Sequence, residues 1–265
     1  MEILLAVWIQ LADVDNGKLA MLVQQPAAYY YVTIPMRDRY AAQIAVIDAL
    51  PGTKLLACCS VEECRAKGEK APAGWMLAYD LEVWQQSYPD YEHIEASVRA
   101  MRQLADEQGR GFAFIPCSRM MYDDNRHLIP ILAPLVDVWI MQSQWFQVTG
   151  RNFVGDMRQY RSLIQPHGEY EPLTLAQVRM ARYGDEWDGW EPWFPADTRS
   201  PALLFEGYVL PLMGVVDGIL LEDIHDDSGP YPRPALYEWM ATHWVRQETP
   251  HGVTWRLALP LVGRE

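Results

Sequence analysis

Two carboxylates one residue apart, Asp80 and Glu82, end an apolar run that starts at Gly74. In a strand, residues two apart point to the same side, so both acids would share a face with Met76 and Ala78. Two carboxyl groups this close in a partly buried site do not both ionise easily, and one pKa should rise into the range of a general acid. We assign the proton donor to Glu82, nearer the rim, and expect Asp80 to stay ionised and to orient Glu82 or a substrate group.

Polar side chains also end other predicted strands. Gln142 and Gln144 close a strand at 136–144 and could hydrogen-bond hydroxyls or an amide of a ligand. Further candidate substrate-binding residues with polar side chains are His167, Glu169, Glu191 and Glu222. The chain also has 11 Trp and 14 Tyr, and indole faces can stack on sugars or other flat ligands. The tryptophans expected to wall the site are Trp84, Trp145, Trp190 and Trp193.

Simpler structural roles compete with each of these assignments. The two acids could form a salt-bridged rim or cap a helix, the glutamines could form a satisfied polar layer, and tryptophan is commonly a core residue. A divalent-metal site is the main chemical alternative, because His167 and Glu169 with Glu222, Asp223 or His225 have suitable ligand types. The chain has neither H-x-H nor H-E-x-x-H, so we expect no metal.

The elements that must position these residues alternate along the chain. Strands and helices succeed each other about eight times, which predicts an α/β fold, a single (β/α)8 TIM-type barrel. The predicted strands are 2–10, 29–34, 54–60, 74–84, 112–117, 136–144, 162–169, 187–194 and 217–224. They number eight or nine, depending on whether residues 3–10 join the barrel. In such a barrel the carboxyl ends of all strands converge on one mouth.

The clearest helix opens at Pro89 and Asp90, carries an apolar stripe, and stops at Gly109. Other helices are predicted at 38–50, 61–67, 153–163, 174–183, 200–212 and 235–244. We expect one domain over 1–265, with 230–265 a C-terminal extension that packs on the barrel.

Composition narrows the class of partner. The 265 residues are 50% hydrophobic with a formal net charge of −13, which disfavours nucleic acid and anionic membranes and suits a neutral or cationic small molecule or oligosaccharide. We read the four cysteines as reduced and expect a cytoplasmic protein, since no signal peptide or membrane span is evident. Phosphate-binding glycine motifs and the G-x-S-x-G elbow are missing, so we expect no cofactor and no acyl transfer through such an elbow.

The strand that ends in Asp80 and Glu82 resembles the D-x-x-D-x-D-x-E strand of chitinase-like glycoside hydrolases. The final Asp and Glu match, while Trp75 and Ala78 stand at the first two Asp positions. The resemblance implies a TIM barrel in which this strand is the fourth, Glu82 is the acid and Asp80 assists it. It also implies that 136–144 is the sixth strand, with Gln in place of that family's Tyr, and that Trp190 or Trp193 stands for the Trp of the last strand.

A second resemblance covers about half of the chain. The string from Tyr79 to Trp84 is similar to a Tyr-Asp-x-Glu-x-Trp strand end in uncharacterised barrel proteins that also have a later Gln-x-Gln strand. These observations predict a glycoside hydrolase-like enzyme that acts on a carbohydrate by carboxylate acid/base catalysis. The alternatives are a lyase, isomerase or cyclase that uses the same acids on a cyclic or hydrophobic substrate, and a non-catalytic sugar-binding barrel.

Overall fold

Eight parallel strands close into a barrel in chain order in the computed structural model. The structure describes residues 3–9, 27–82, 88–143, 146–147, 152–164, 171–180, 205–223, 244–249 and 252–257. The barrel strands are β1 (Leu4–Ile9), β2 (Tyr29–Val32), β3 (Thr53–Cys58), β4 (Met76–Leu81), β5 (Phe112–Pro116), β6 (Val138–Gln142), β7 (Leu173–Met180) and β8 (Gly218–Asp223). Because β1 pairs with both β2 and β8, it belongs to the barrel, and β4 is the fourth strand. The predicted (β/α)8 class is confirmed.

Helices follow the strands on the outside of the barrel. The longer ones are α1 (Ala41–Asp48), α2 (Val61–Gly68), α3 (Ile94–Glu107) and α4 (Phe153–Ile164). Short helical turns cover Asp38–Tyr40, Tyr88–Tyr91, Ser118–Met121, Asp124–Leu128, Ile129–Leu132, Ala133–Leu135, Phe205–Val209 and Leu210–Leu212. An antiparallel pair, β9 (Trp244–Thr249) and β10 (Gly252–Leu257), comes last, and β10 contacts β1.

Each barrel strand has two buried faces, as expected for a parallel sheet covered by helices. Alternate residues fill the barrel interior, and the set from β1, β3, β4, β5, β6, β7 and β8 is Ala6, Leu55, Ala57, Ala78, Ala113, Ile115, Val138, Ile140, Leu175 and Leu220. The residues between them form a second core against the helices. On β4, Leu77 and Tyr79 pack outward with Val98 and Met101 of α3. Parity along each strand therefore decides which side chains reach the mouth.

The turn that leads into β4 is fixed by one arginine. Arg110 Nη1 donates to the carbonyl oxygens of Pro72 and Trp75 at 2.8 Å each, and its Nη2 donates to those of Gly68 and Ala71. Gly109, which ends α3 as predicted, has φ 62°, a conformation that favours glycine. The α3 to β5 connection thus clamps the start of the strand that carries the acids.

The structure corrects several predicted elements. The helix predicted from Thr174 is wrong, because β7 covers 173–180 and its inward residues alternate at strand spacing. The strand predicted at 162–169 is wrong in its first residues, which end α4, and 165–170 lie outside the described residues. The segments 187–194 and 235–243 also lie outside them, and Trp244, the predicted helix end, begins β9.

Two of the four cysteines depart from the prediction of reduced thiols. Cys58 points outward from β3 and is placed as a disulfide with Cys64 of α2, with their Cα atoms 5.3 Å apart. Cys59 and Cys117 are free. Ser60 caps α2 by accepting from the Glu63 amide. Because the helix therefore begins soon after β3 ends, its first turn brings Cys64 close to Cys58. Among the described helices, none is long and apolar enough to cross a membrane.

Candidate active site

The mouth of the barrel is lined by polar side chains, whereas the interior below it is apolar. Asp80 ends the inward row of β4 after Met76 and Ala78, and Glu82 follows the strand directly. Both carboxylates are partly exposed. From β6, Gln142 enters the same space and is 8% exposed. The structure therefore brings together the acid pair and one of the two glutamines that the sequence singled out.

One amide group connects the two acids. Gln142 Nε2 donates to Glu82 Oε1 at 2.6 Å and to Asp80 Oδ1 at 3.2 Å. An amide nitrogen carries two protons, so each carboxylate receives one of them. The bridge holds the two acids in a fixed relation across 60 residues of sequence and leaves Glu82 Oε2 as the oxygen of that side chain not used by Gln142.

Tyr31 gives Asp80 a second hydrogen bond. Its hydroxyl donates to Asp80 Oδ2 at 2.6 Å, so both oxygens of this carboxylate act as acceptors. Burial raises the pKa of Tyr31 well above its ordinary value, and the charge of Asp80 adds to that effect. The phenol therefore stays protonated and serves as a donor. Sequence reasoning missed Tyr31, although its position on the inward row of β2 was a signal.

Asp80 has a pKa above the ordinary value of an aspartate. Burial is the largest cause, the Tyr31 hydrogen bond opposes it, and the nearby charge of Glu222 raises the pKa further, to about 6 overall. Gln142 opposes the rise and Glu63 adds to it. The sequence analysis expected repulsion within the pair to raise one pKa, whereas for Asp80 the causes that raise the pKa are burial first and the charge of Glu222 next. At neutral pH, Asp80 remains mostly ionised.

A second amide and acid pair lies on the next two strands. Gln177 of β7 is the register partner of Gln142, and its Nε2 donates to Glu222 Oε2 on β8 at 3.0 Å. Both side chains are buried. Ser143, directly after β6, donates its hydroxyl to the main-chain carbonyl of Gln177. Glu222 was predicted here, and Gln177 was missed because its strand was read as a helix.

An aromatic corner borders the acids on the side of β1 and β2. Trp8 is partly exposed and meets the Tyr31 ring edge-on, with centroids 5.4 Å apart. Its indole N–H donates to Thr33 Oγ1 at 3.0 Å. This tryptophan was not among those predicted to wall the site. The partly exposed thiol of Cys59 lies nearby, and burial followed by the charge of Asp80 raises its pKa to about 12, so it is not a thiolate at neutral pH.

Several predicted site residues lie outside the described part of the chain. They are Trp84, Gln144, Trp145, His167, Glu169, Trp190, Glu191 and Trp193. The eighth strand is Gly218–Asp223 and contains no tryptophan. Within the described ranges, no group of three His, Cys, Asp or Glu side chains could hold a metal ion.

Side chains from three alternate strands converge on Asp80 of β4. Tyr31 of β2 and Gln142 of β6 bond it directly, and Glu222 of β8 acts on its pKa. Layers built from alternate strands are the normal packing of such barrels, and their active sites lie at this end. The arrangement provides carboxyl groups for proton transfer, amide groups that position hydroxyls, and an aromatic wall.

Comparison with known proteins supports the same fold and gives no closer relationship. No family model matches the chain, and no curated protein matches it. Among solved structures it is similar to orotidine 5'-monophosphate decarboxylase from Methanocaldococcus jannaschii, with 9% identity, 91% of this chain and 98% of the other covered, and a TM-score of 0.52.

Two further likenesses agree with the first. For a sugar phosphate isomerase/epimerase from Parabacteroides distasonis, the identity is 10%, the coverage is 89% of this chain and 91% of the other, and the TM-score is 0.52. For the endo-1,4-beta-D-xylanase 10B of Clostridium thermocellum, the identity is 13%, the coverage is 91% and 65%, and the TM-score is 0.50. At these identities the likeness concerns architecture alone, and by that architecture the chain is a TIM barrel.

Proposed function

We propose that this barrel is a glycoside hydrolase-like enzyme that acts on a carbohydrate or a carbohydrate-like small molecule. The observation that carries the proposal is the single Gln142 amide that bridges Asp80 and Glu82 inside the barrel mouth. The bridge holds two carboxyl groups close together in different environments. Acid/base catalysis uses such pairs, because different environments let one carboxyl carry a proton while the other stays ionised.

Glu82 is the proposed general acid. Its Oε1 accepts from Gln142, so the proton to be transferred sits on Oε2. Glu82 donates this proton to the glycosidic oxygen as the bond from that oxygen to the anomeric carbon breaks. Water then adds its oxygen to the anomeric carbon and releases a proton to a base. Asp80, ionised and held by Tyr31 and Gln142, orients Glu82 and stabilises positive charge on the sugar.

The base or nucleophile is the second role to fill. Glu222 is the described candidate, since its charge already acts on Asp80, and Glu191 is the other. A carboxyl about 5 Å from Glu82 would give retention, and one roughly 6.5 to 9.5 Å away would give inversion. If the substrate supplies its own nucleophile, no such partner is needed.

The mouth suits a polyhydroxylated ligand. Trp8 supplies a partly exposed indole, and Gln142 and Gln177 supply amide oxygens that can accept from hydroxyls. The resemblance supports the same class, because Asp80 and Glu82 end the fourth strand at the positions where the chitinase-like strand has its assisting Asp and its acid. The absence of that strand's first two Asp residues is why the proposed class is broader than chitinase.

Replacement of Glu82 by Gln tests the assignment. We measure hydrolysis of cellohexaose, xylohexaose and chitohexaose and expect the wild-type protein to cleave at least one. The Glu82→Gln variant should lose 10²- to 10⁴-fold in kcat while it still binds the oligosaccharide. The loss should be much smaller with the 4-nitrophenyl glycoside of the same sugar, whose leaving group departs without protonation.

Glu95→Gln, an exposed acid on α3 paired with Arg99, is the matched control and should leave turnover unchanged. A wild-type protein that binds an oligosaccharide without cleaving it would be a sugar-binding barrel. Equal losses on both kinds of leaving group would remove Glu82 from the role of acid.

One observation favours a second function. A carboxyl with a pKa of about 6, such as Asp80, is suited to take a proton from carbon near neutral pH, as isomerases and lyases do. The two functions differ in which solvent isotope is incorporated into the product. Hydrolysis in H₂¹⁸O places ¹⁸O on the new anomeric hydroxyl, whereas an isomerase in D₂O places deuterium on carbon.

A further inference from the structure

Gln177 has a buried side chain whose amide oxygen lacks a hydrogen-bond partner within the described part of the chain. It is 5% exposed on the inward row of β7. Its Nε2 donates to Glu222 at 3.0 Å, but its Oε1 is buried and has no hydrogen-bond partner among the described groups. Buried polar atoms are nearly always paired, and an exception in a site calls for a ligand or water.

The orientation of this amide is fixed by its neighbours. Glu222 Oε2 accepts the hydrogen bond, so a flipped amide would place two oxygen acceptors against each other. The Ser143 hydroxyl also bonds the main-chain carbonyl of Gln177, which holds the backbone of β7 beside the end of β6. Oε1 therefore stays the free acceptor of this side chain.

Two other hydrogen-bond donors in the barrel mouth already have acceptors. Gln142 is the register partner of Gln177, but both protons of its amide nitrogen go to Asp80 and Glu82. The Tyr31 hydroxyl also goes to Asp80. Three acids thus use protons of two amides and one phenol, and Gln177 Oε1 receives none of them.

We propose that Gln177 Oε1 accepts a hydrogen bond from a hydroxyl or an amide N–H of the bound sugar and so determines which sugar the mouth selects. The inference rests on the proposed function and deepens it. It requires a substrate with a donor group toward β7 and β8 while its scissile oxygen faces Glu82 on β4. A sugar with no donor at that point leaves a buried acceptor unpaired and is rejected.

The test uses monosaccharides, which are not hydrolysed. Glucose, xylose and N-acetylglucosamine are titrated against the wild-type chain, Gln177→Met and the control Gln103→Met by NMR. Methionine keeps the length of the side chain and removes its hydrogen bonds. We expect the Gln177→Met variant to bind about tenfold more weakly, with Gln103→Met unchanged because Gln103 is exposed and bonds Glu107 on α3.

The pattern across sugars identifies the donor. A loss confined to N-acetylglucosamine indicates the amide N–H, and a loss shared by all three indicates a hydroxyl. If the wild-type chain binds a sugar and Gln177→Met binds it equally well, the inference is wrong and the proposed function stands. If the wild-type chain binds none of the three, the carbohydrate function fails and this inference fails with it.

A crystal structure of the wild-type chain with the bound sugar gives a readout that does not depend on a variant folding. We expect a sugar oxygen or nitrogen within about 3.2 Å of Gln177 Oε1. A water molecule at that position in both the free and the sugar-bound crystals would overturn the inference, because the acceptor would then be satisfied by solvent.

Discussion

The Tyr31 hydroxyl lies 2.6 Å from Asp80 Oδ2 and joins β2 to β4 across the barrel mouth. The bond favours the ionised carboxylate, and it is among the causes that hold the pKa of Asp80 down to about 6 against burial. It also places the phenol ring against Trp8. One buried side chain thus lowers the pKa of Asp80 and packs against Trp8.

Removal of that hydroxyl should raise the pKa of Asp80. In a Tyr31→Phe variant the ionised carboxylate loses a donor, so its titration, followed by ¹³C NMR of labelled aspartate carboxyls, should move above that of the wild-type chain. The variant should also lose about 1–2 kcal/mol of unfolding free energy.

Tyr30→Phe is the matched control, because Tyr30 is the preceding residue, faces outward, and accepts from the Ala27 amide. It should cost similar stability and leave the Asp80 titration in place. An equal shift of that titration in both variants would contradict a direct effect of the Tyr31 hydrogen bond.

Asp80 should lower stability at neutral pH. Its pKa rises from 3.8 to about 6 on folding, so the folded chain binds more protons than the unfolded chain between these values. The unfolding free energy therefore falls as pH rises from about 4 to about 6, and the loss of stability reaches its full size above pH 6. At 1.36 kcal/mol per unit it amounts to about 3 kcal/mol at most.

Asp80→Asn removes this titration and keeps an oxygen to accept from Gln142. Urea unfolding at pH 4.5 and pH 7.5 gives the unfolding free energy of the variant minus that of wild type. This difference should be about 1–3 kcal/mol more favourable to the variant at pH 7.5 than at pH 4.5. A difference between variant and wild type that is the same at both pH values would show that Asp80 titrates normally in the folded chain.

Arg110 should be essential for the entry into β4. Its Arg110→Met variant leaves the carbonyls of Gly68, Ala71, Pro72 and Trp75 without their donor and should cost about 2–4 kcal/mol in urea unfolding. Arg99→Met, which removes an exposed pair with Glu95 on α3, should change stability by less than about 0.5 kcal/mol. Similar losses for the two variants would contradict the clamp.

The alternation of β and α segments was readable from the sequence because it depends on local periodicity. Two-residue spacing placed Asp80 on the same face as Met76 and Ala78, and Gly109 marked the C-terminal end of α3. The predicted start at Pro89 was too early, because 88–91 form a separate short turn and α3 begins at Ile94. The seventh strand was misread because Leu173, Ala176, Gln177 and Met180 also suit a helix, and pairing with β6 and β8 overrides such propensity.

The contacts that define the site were decided only by the closed barrel. The residues that bond each other are 49 positions apart for Tyr31 and Asp80, 62 for Gln142 and Asp80, and 45 for Gln177 and Glu222. A periodic pattern fixes the face of a strand on which a residue lies, but not which strand lies opposite or in what register. Those follow from the eight strands packing around one interior. The sequence by itself determined the acid pair, and the tertiary structure determined its hydrogen-bond partners, the raised pKa of Asp80 and the unpaired oxygen of Gln177.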